Sequence, residues 1–518
     1  MSSDVSSAQS RIVAKNFAWN TLELLFNVAA ALYTTVAVAR AFGPAKLGYF
    51  NYIYWLTTIS GQVGTLGLPL ATFKYMGEYI GAGRPEMARS VYVFTLRLQA
   101  LLSIAIALAG VILVWFFVLP EYRWISVFLV VGVIPQVLTN IPSMANNARQ
   151  DFRSNAHGGF VGITLNALII FLSLHFGWGL IGVSLGVLIS RVVEMFVKMR
   201  PLFPWLRSTA AVPLPKDLYE RMVRFSTRGT GLMLLSIVIW DRSDVILLKL
   251  LQPDIQQIAF FSVSFSLVER LMILPQSFGG ALSASQMSAS GADASRLLRI
   301  TSTAARYTLL GSLPILLGSA CLSGPAIRII YGVLYAPAIP VFGLAAVCAI
   351  SKAMLSPGNS LLYAREDLGF LLKWSCFCAA AEIVIDAVLI PHYAAIGATI
   401  GNGVAQTLAA AGIWTRAVKH FKVDLNSGRL VRVALATAVM VLGVLIGTHN
   451  IHSDVVKMIV GPVLGAAVFL LALRFASALD FDDRNRLLTL TKRLPSPLYH
   501  SVRTIVEFVS ASSASVES

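Results

Sequence analysis

Residues 368–390 read LGFLLKWSCFCAAAEIVIDAVLI, an apolar run of helix length with Glu382 and Asp386 inside it. A run of 18 or more apolar residues is long enough to cross a bilayer. The two acids are what such a run should lack, because a charge at mid-bilayer costs roughly 2.5–3.5 kcal/mol on insertion scales. At i and i+4 they share one helix face with Ser375 and Cys378. A membrane helix with one polar stripe is the simplest reading, and it sets the fold class.

Working outward, apolar runs of this kind recur about fourteen times between Asn16 and Phe475. Asp241, Arg242, Glu269, Arg270 and Lys352 also fall inside them. Seven such charges left unpaired would cost on the order of 20 kcal/mol, more than the net stability of a typical protein. They must pair or line a wet cavity, which points to a transporter. The fold class expected is all-α: a polytopic membrane protein of about fourteen transmembrane helices.

Composition agrees. The 518 residues are 56% hydrophobic and 13% charged, with a mean hydropathy of +0.73. The net charge of +16 lies in loops between spans. That is the positive-inside pattern and not a nucleic-acid surface. Only Arg40, Lys46, Arg123, Arg328 and Lys457 fall in the loops of one side. Arg242, Lys249, Arg270 and Lys352 lie in the membrane or near that side's edge, and every other Lys and Arg of the 41 falls on the opposite side. Both termini are then expected in the cytoplasm of a bacterium, with the chain in its inner membrane. The cysteines Cys321, Cys348, Cys376 and Cys378 sit in apolar segments and read as small core residues.

The organisation follows from the runs. Residues 1–15 are polar and Ser-rich and read as a disordered cytoplasmic segment; residues 16–199 hold six spans. Residues 200–224, with four prolines among basic residues, read as a cytoplasmic linker. Residues 225–420 hold six more spans, 430–476 hold two additional ones, and 477–518 form a cytoplasmic tail that opens with a short interfacial helix. The halves look related. RQDF at Arg149 stands where REDL at Arg365 stands, and LIGVSLGV at Leu180 matches AIGATIGNG at Ala395. This alignment pairs Asn166 with Glu382, Gly182 with Gly397 and Gly186 with Gly401. Six spans per half imply a parallel repeat, and substrate sites in such folds lie between the repeats.

KNFAWNTLELL at Lys15, VARAFGPAKLGYFNY at Val38 and GQVGTLGLPLATFKY at Gly61 resemble the opening of bacterial polysaccharide exporters. IIYGVLYAPAIPVFGLAAV at Ile329, REDLG at Arg365 and LIPHYAAIGATIGNGVAQ at Leu389 resemble their later segments in the same order. These exporters are the Wzx-like flippases of the multidrug/oligosaccharidyl-lipid/polysaccharide exporter superfamily. The resemblance runs from about Asn16 to Lys419 and implies two six-helix lobes, a central cavity and alternating access. It implies a lipid-linked oligosaccharide as substrate, membrane lipids, and a polysaccharide polymerase and chain-length regulator as partners. It names no invariant catalytic residue.

Charge chemistry assigns candidates. Arg242, Arg270 and Lys352 could attract a diphosphate; Asp241, Glu269, Glu382 and Asp386 could hold a coupling cation or proton. Glu269, Lys352 and Glu382 fall near the midplane by depth, and Asp241, Arg242 and Asp386 in the outer third. Glu23, Asn166, Asn359, Asn402 and Gln406 are candidate cavity-lining groups. The bland alternative is that these stripes form salt bridges that only lock helices together. Asp244 and Lys249 lie close enough to the outer interface to reach water. No nucleotide, metal or hydrolase motif is present, so no cofactor and no enzyme activity are expected. A cation-coupled drug exporter of the same superfamily would favour an acidic cavity with few bases. A glycan polymerase or ligase would need a larger outer loop.

Overall fold

The computed structural model describes residues 2–210, 212–240, 243–273, 275, 286, 294–425 and 427–477, with 484, 488, 503–504 and 506–510; it describes no side chains for 2–25, 27, 228–229, 231–240 and 294. Every regular element among these is helical. Among the described residues nine helices are long and apolar enough to cross a membrane, or ten if one bent pair counts as a single span. Two of the nine are broken internally, so each supplies two of the expected spans.

The chain divides into two compact units, one of residues 1–249 and 254–259, the other of residues 250–253 and 260–518. In the first unit, α1 (Ser2–Gly64) turns at Gly43, whose φ of +73° is one that glycine adopts without strain, and Pro44 restarts the helix. Helix extends back to Ser2, where composition reads as disorder; elongation from a formed helix avoids the cost of nucleation. α2 (Leu68–Gly81) and α3 (Pro85–Phe117) follow, each with proline at its first turn. α4 (Arg123–Val131) and α5 (Val133–Ala148) meet at Gly132. α6 (Phe152–His175) and α7 (Gly179–Met199) complete the apolar set.

The stretch expected as a linker carries a short helix, α8 (Leu202–Ser208), and the start of α9 (Lys216–Trp240). Leu202, Leu218 and Met222 are buried in one core with Tyr75, Met76 and Tyr92 of α2 and α3. Apolar residues among the prolines thus anchor this stretch. α10 (Asp244–Leu251) and α11 (Gln256–Leu271) cross the boundary between the units.

In the second unit, α12 (Ala294–Cys321) meets α13 (Ser323–Ile330) at a bend of 72°. α14 (Ala338–Ala364) leads into α15 (Leu368–Lys419), which breaks at Ala394 just after Pro391. Proline lacks the N–H that an unbroken helix needs there. α16 (Ser427–His449) and α17 (Asp454–Phe475) pack on each other through Val433, Met440, Val444, Phe469 and Leu473. The interfacial helix expected from residue 477 lies largely outside the described residues.

The related motifs fold alike. Gln150 and Glu366 both take positive φ, 60° and 55°. In both turns, the residue before donates to the carbonyl four back, and the Asp after to the carbonyl five back: Arg149 to Ala145 and Asp151 to Asn146, Arg365 to Leu361 and Asp367 to Leu362. This is the hydrogen-bonding pattern of a left-handed helix cap.

Candidate functional site

The break at Ala394 folds α15 into a helical hairpin, and small residues set its register. A Cβ on Gly397 would meet the Leu389 carbonyl, one on Gly401 the Asp386 carboxylate, and one on Gly412 the Trp374 ring. Trp374 donates its indole N–H to the Leu408 carbonyl at 3.1 Å. The stripe is therefore where the arms approach closest.

The arms carry the polar cluster. Cys378, Ala379, Glu382, Asp386 and Ile390 are buried at helical spacing, while Phe377, Ile383, Val384 and Val388 are exposed. Glu382 is 1% exposed and Asp386 fully buried. Asn402 donates its side-chain N–H to Glu382 Oε1 at 2.9 Å, and Gln406 donates to Asn402 Oδ1 at 2.7 Å. Carboxylate oxygens of Glu382 and Asp386 lie within 4.8 Å of each other. Glu382, Asp386, Asn402 and Gln406, expected separately from the sequence, are thus one constellation.

α14 runs parallel to the second arm. Cys348 faces Gly403, Ser351 and Thr407 share a hydrogen bond at 2.9 Å, and Trp414 donates to the Met354 carbonyl at 3.0 Å. That register puts Lys352 at the level of Leu408, just past the Ser351–Thr407 contact. Lys352 and Asn359 are both half-buried. At the far end of the hairpin, Arg416 Nε meets Asp367 Oδ2 at 2.8 Å.

Of the other candidates, some lie on α11 and some outside the described residues. Glu269 is exposed near the end of α11. Arg270, half-buried, donates to the Ser266 carbonyl and hydroxyl one turn back. Asp241, Arg242 and the Glu23 side chain lie outside the described residues. Asp244, read as an interface charge, is fully buried. The expected span runs unbroken from Phe225 to Leu250, whereas Ser243 is a turn from which α10 begins.

In the first unit, Asn166 lines a cavity of about 370 Å³ with Thr34, Asn51, Tyr54 and aliphatic residues of α1, α6 and α7. Its Oδ1 is buried without a hydrogen bond. The repeat aligns Asn166 with Glu382, so the same helix position is amide in one half and acid in the other.

A family profile described as "Polysaccharide biosynthesis protein" matches residues 37–340, more than half of the chain. The chain belongs to this family. By fold, this polysaccharide biosynthesis protein is similar to a lipid II flippase, MurJ, in an inward closed conformation. The TM-score is 0.70 at 16% identity, covering 87% of this chain and 97% of that one. It is also similar to an inward-facing multidrug resistance MATE transporter of the MOP superfamily, with TM-score 0.63, 16% identity and coverage of 76% and 95%. A MOP superfamily transporter from Pyrococcus furiosus matches at TM-score 0.57 and 16% identity, over 79% and 96%. No curated protein matches the chain by sequence. The fold is thus that of these transporters, and the protein is a multi-pass helical membrane protein.

Proposed function

We propose that this protein is a flippase that moves undecaprenyl-diphosphate-linked oligosaccharide units across the bacterial inner membrane by alternating access, for surface polysaccharide assembly. The observation that carries this reading is membership of a polysaccharide biosynthesis family by a chain whose fold is that of transporters. The physics is consistent. Sugar hydroxyls stripped of water cost several kcal/mol each in hydrocarbon, so the headgroup needs a polar path while the prenyl chain stays in lipid. In this reading Arg242, Arg270 and Lys352 attract the diphosphate. Glu382, bonded to Asn402 and through it to Gln406, and Asp386 take up a proton or cation, and Asp241 and Glu269 add acidic charge to that path.

The membrane potential supports the direction. Moving each unit of negative charge outward gains about 2.3 kcal/mol per 100 mV, and inward cation movement through the carboxylates adds to it. A polymerase and a chain-length regulator are the partners that would consume the exported unit. The test is a clean gene deletion. It should leave undecaprenyl-linked repeat units on the cytoplasmic leaflet and abolish the surface polymer. Normal surface polymer in a strain without a paralogue would overturn the proposal.

A further inference from the structure

A second cavity lies outside this polar cluster, at the first turns of α3. It measures about 500 Å³ and is bounded by Arg89, Phe94, Arg97 and Leu101 on α3 and by Val212 and Leu214 of the segment that crosses it. Ser90 donates its hydroxyl to the Val212 carbonyl and holds that segment in place.

Three observations bear on what it holds. The first is charge. Arg89 and Arg97 stand eight residues apart on one helix, about 12 Å along its axis. Among the described residues neither forms an ion pair, and the Arg89 Nε is buried without an acceptor. A buried donor left unmatched is costly, and a guanidinium prefers a planar, anionic, oxygen-rich partner. The second is polarity along the helix. Phe94 stands between the arginines and Leu101 one turn beyond Arg97, and Leu101 and Leu108 are 68% and 61% exposed along the same side. The occupant is anionic at one end and apolar at the other. The third is depth. α3 is an apolar, membrane-length helix, and Arg89 and Arg97 lie in its N-terminal half, toward the end where the Lys and Arg pattern places the cytoplasmic leaflet. Basic pockets at that level suit phosphate-bearing lipid headgroups.

We infer that this cavity binds an anionic phospholipid of the cytoplasmic leaflet, its phosphate held by Arg89 and Arg97 and one acyl chain lying along Leu101 and Leu108. The site is separate from the carboxylate hairpin and independent of the substrate assigned above.

Native mass spectrometry of the full chain, released from nanodiscs of equal parts phosphatidylglycerol and phosphatidylcholine, tests it. The wild type should retain phosphatidylglycerol over phosphatidylcholine. Arg89→Gln with Arg97→Gln should weaken that retention about 30-fold, and Arg97→Gln alone about fivefold. Arg97 is exposed, so its single variant keeps the test informative if the double variant does not fold. Arg207→Gln with Arg224→Gln removes the same charge from exposed positions elsewhere and should leave retention unchanged. Equal retention of the two lipids by the wild type, or equal losses in the two double variants, would overturn the site. Displacement by inorganic phosphate would reduce it to an anion site. Preferential displacement by undecaprenyl diphosphate would make it a substrate subsite instead.

Discussion

Gly401 stands directly against Asp386, and the Cβ it lacks is the space that the Asp386 carboxylate occupies. A buried acid in a membrane helix is costly, and here a residue fifteen positions on, across the turn at Ala394, is shaped to admit it. Gly401→Ala should therefore push the carboxylate aside, with an overpacking cost of about 1–3 kcal/mol. Lower membrane abundance and loss of polymer export are expected. Adding Asp386→Ala to that variant frees the space and should restore abundance. If it restores export as well, Asp386 has no part in transport.

Glu382 separates shape from charge in the same cluster. Asn402 donates to its Oε1, and a glutamine there still offers a carbonyl oxygen to that donor. Glu382→Gln should insert at the wild-type level and bind substrate, while turnover falls because the titratable group is gone. Glu382→Ala leaves the Asn402 amide without its acceptor, at about 1–3 kcal/mol, and should lower abundance too. Quantitative immunoblotting of membranes beside a flipping assay distinguishes the outcomes. Full export by Glu382→Gln would make the cluster purely structural.

How far the sequence reveals this site depends on where its contacts arise. The face shared by Glu382 and Asp386 is legible because helical spacing alone places i and i+4 together. Asn402 and Gln406 are legible as a second i, i+4 pair, and the run at Ala395 as a glycine stripe. What spacing does not give is the register between the arms. That is set by the break at Ala394, a non-glycine residue at φ 50°, which no glycine marks. The turn at Gly43 carries its glycine and proline openly. Asp244 shows the same limit: the turn at Ser243 from which α10 begins lies inside a continuous apolar run.

Arg328 and Asp454 form a bidentate pair, Nε to Oδ2 at 2.6 Å and Nη2 to Oδ1 at 2.8 Å, joining α13 to the start of α17. Both are partly exposed, so the pair should contribute about 1 kcal/mol and not more. Its larger role is to fix the last two helices against the bent pair α12–α13. Arg328→Ala and Asp454→Ala should each lower the thermal midpoint in detergent modestly. The two losses should be far from additive in the double variant, and 1 M salt should shrink both. Additive losses would show that the pair does not couple.

Orientation is tested by tags. The stretch from Arg200 to Arg224 is rich in Lys and Arg, and insertion places such loops in the cytoplasm. Tags at Ser2, at Pro213 and at Ser518 should all report cytoplasmic, and one at Ser453, beside the Arg328–Asp454 pair, should report outside. The parallel repeat demands the same result. RQDF and REDL build one turn geometry in the two halves. If six spans separate equivalent positions, both turns face the same side of the membrane. A tag within either turn, at Gln150 or at Glu366, should then also be cytoplasmic. Opposite reports from these two positions would make the repeat inverted and not parallel. An outside report at Pro213 would reverse the orientation and move the Arg89–Arg97 cavity to the other leaflet.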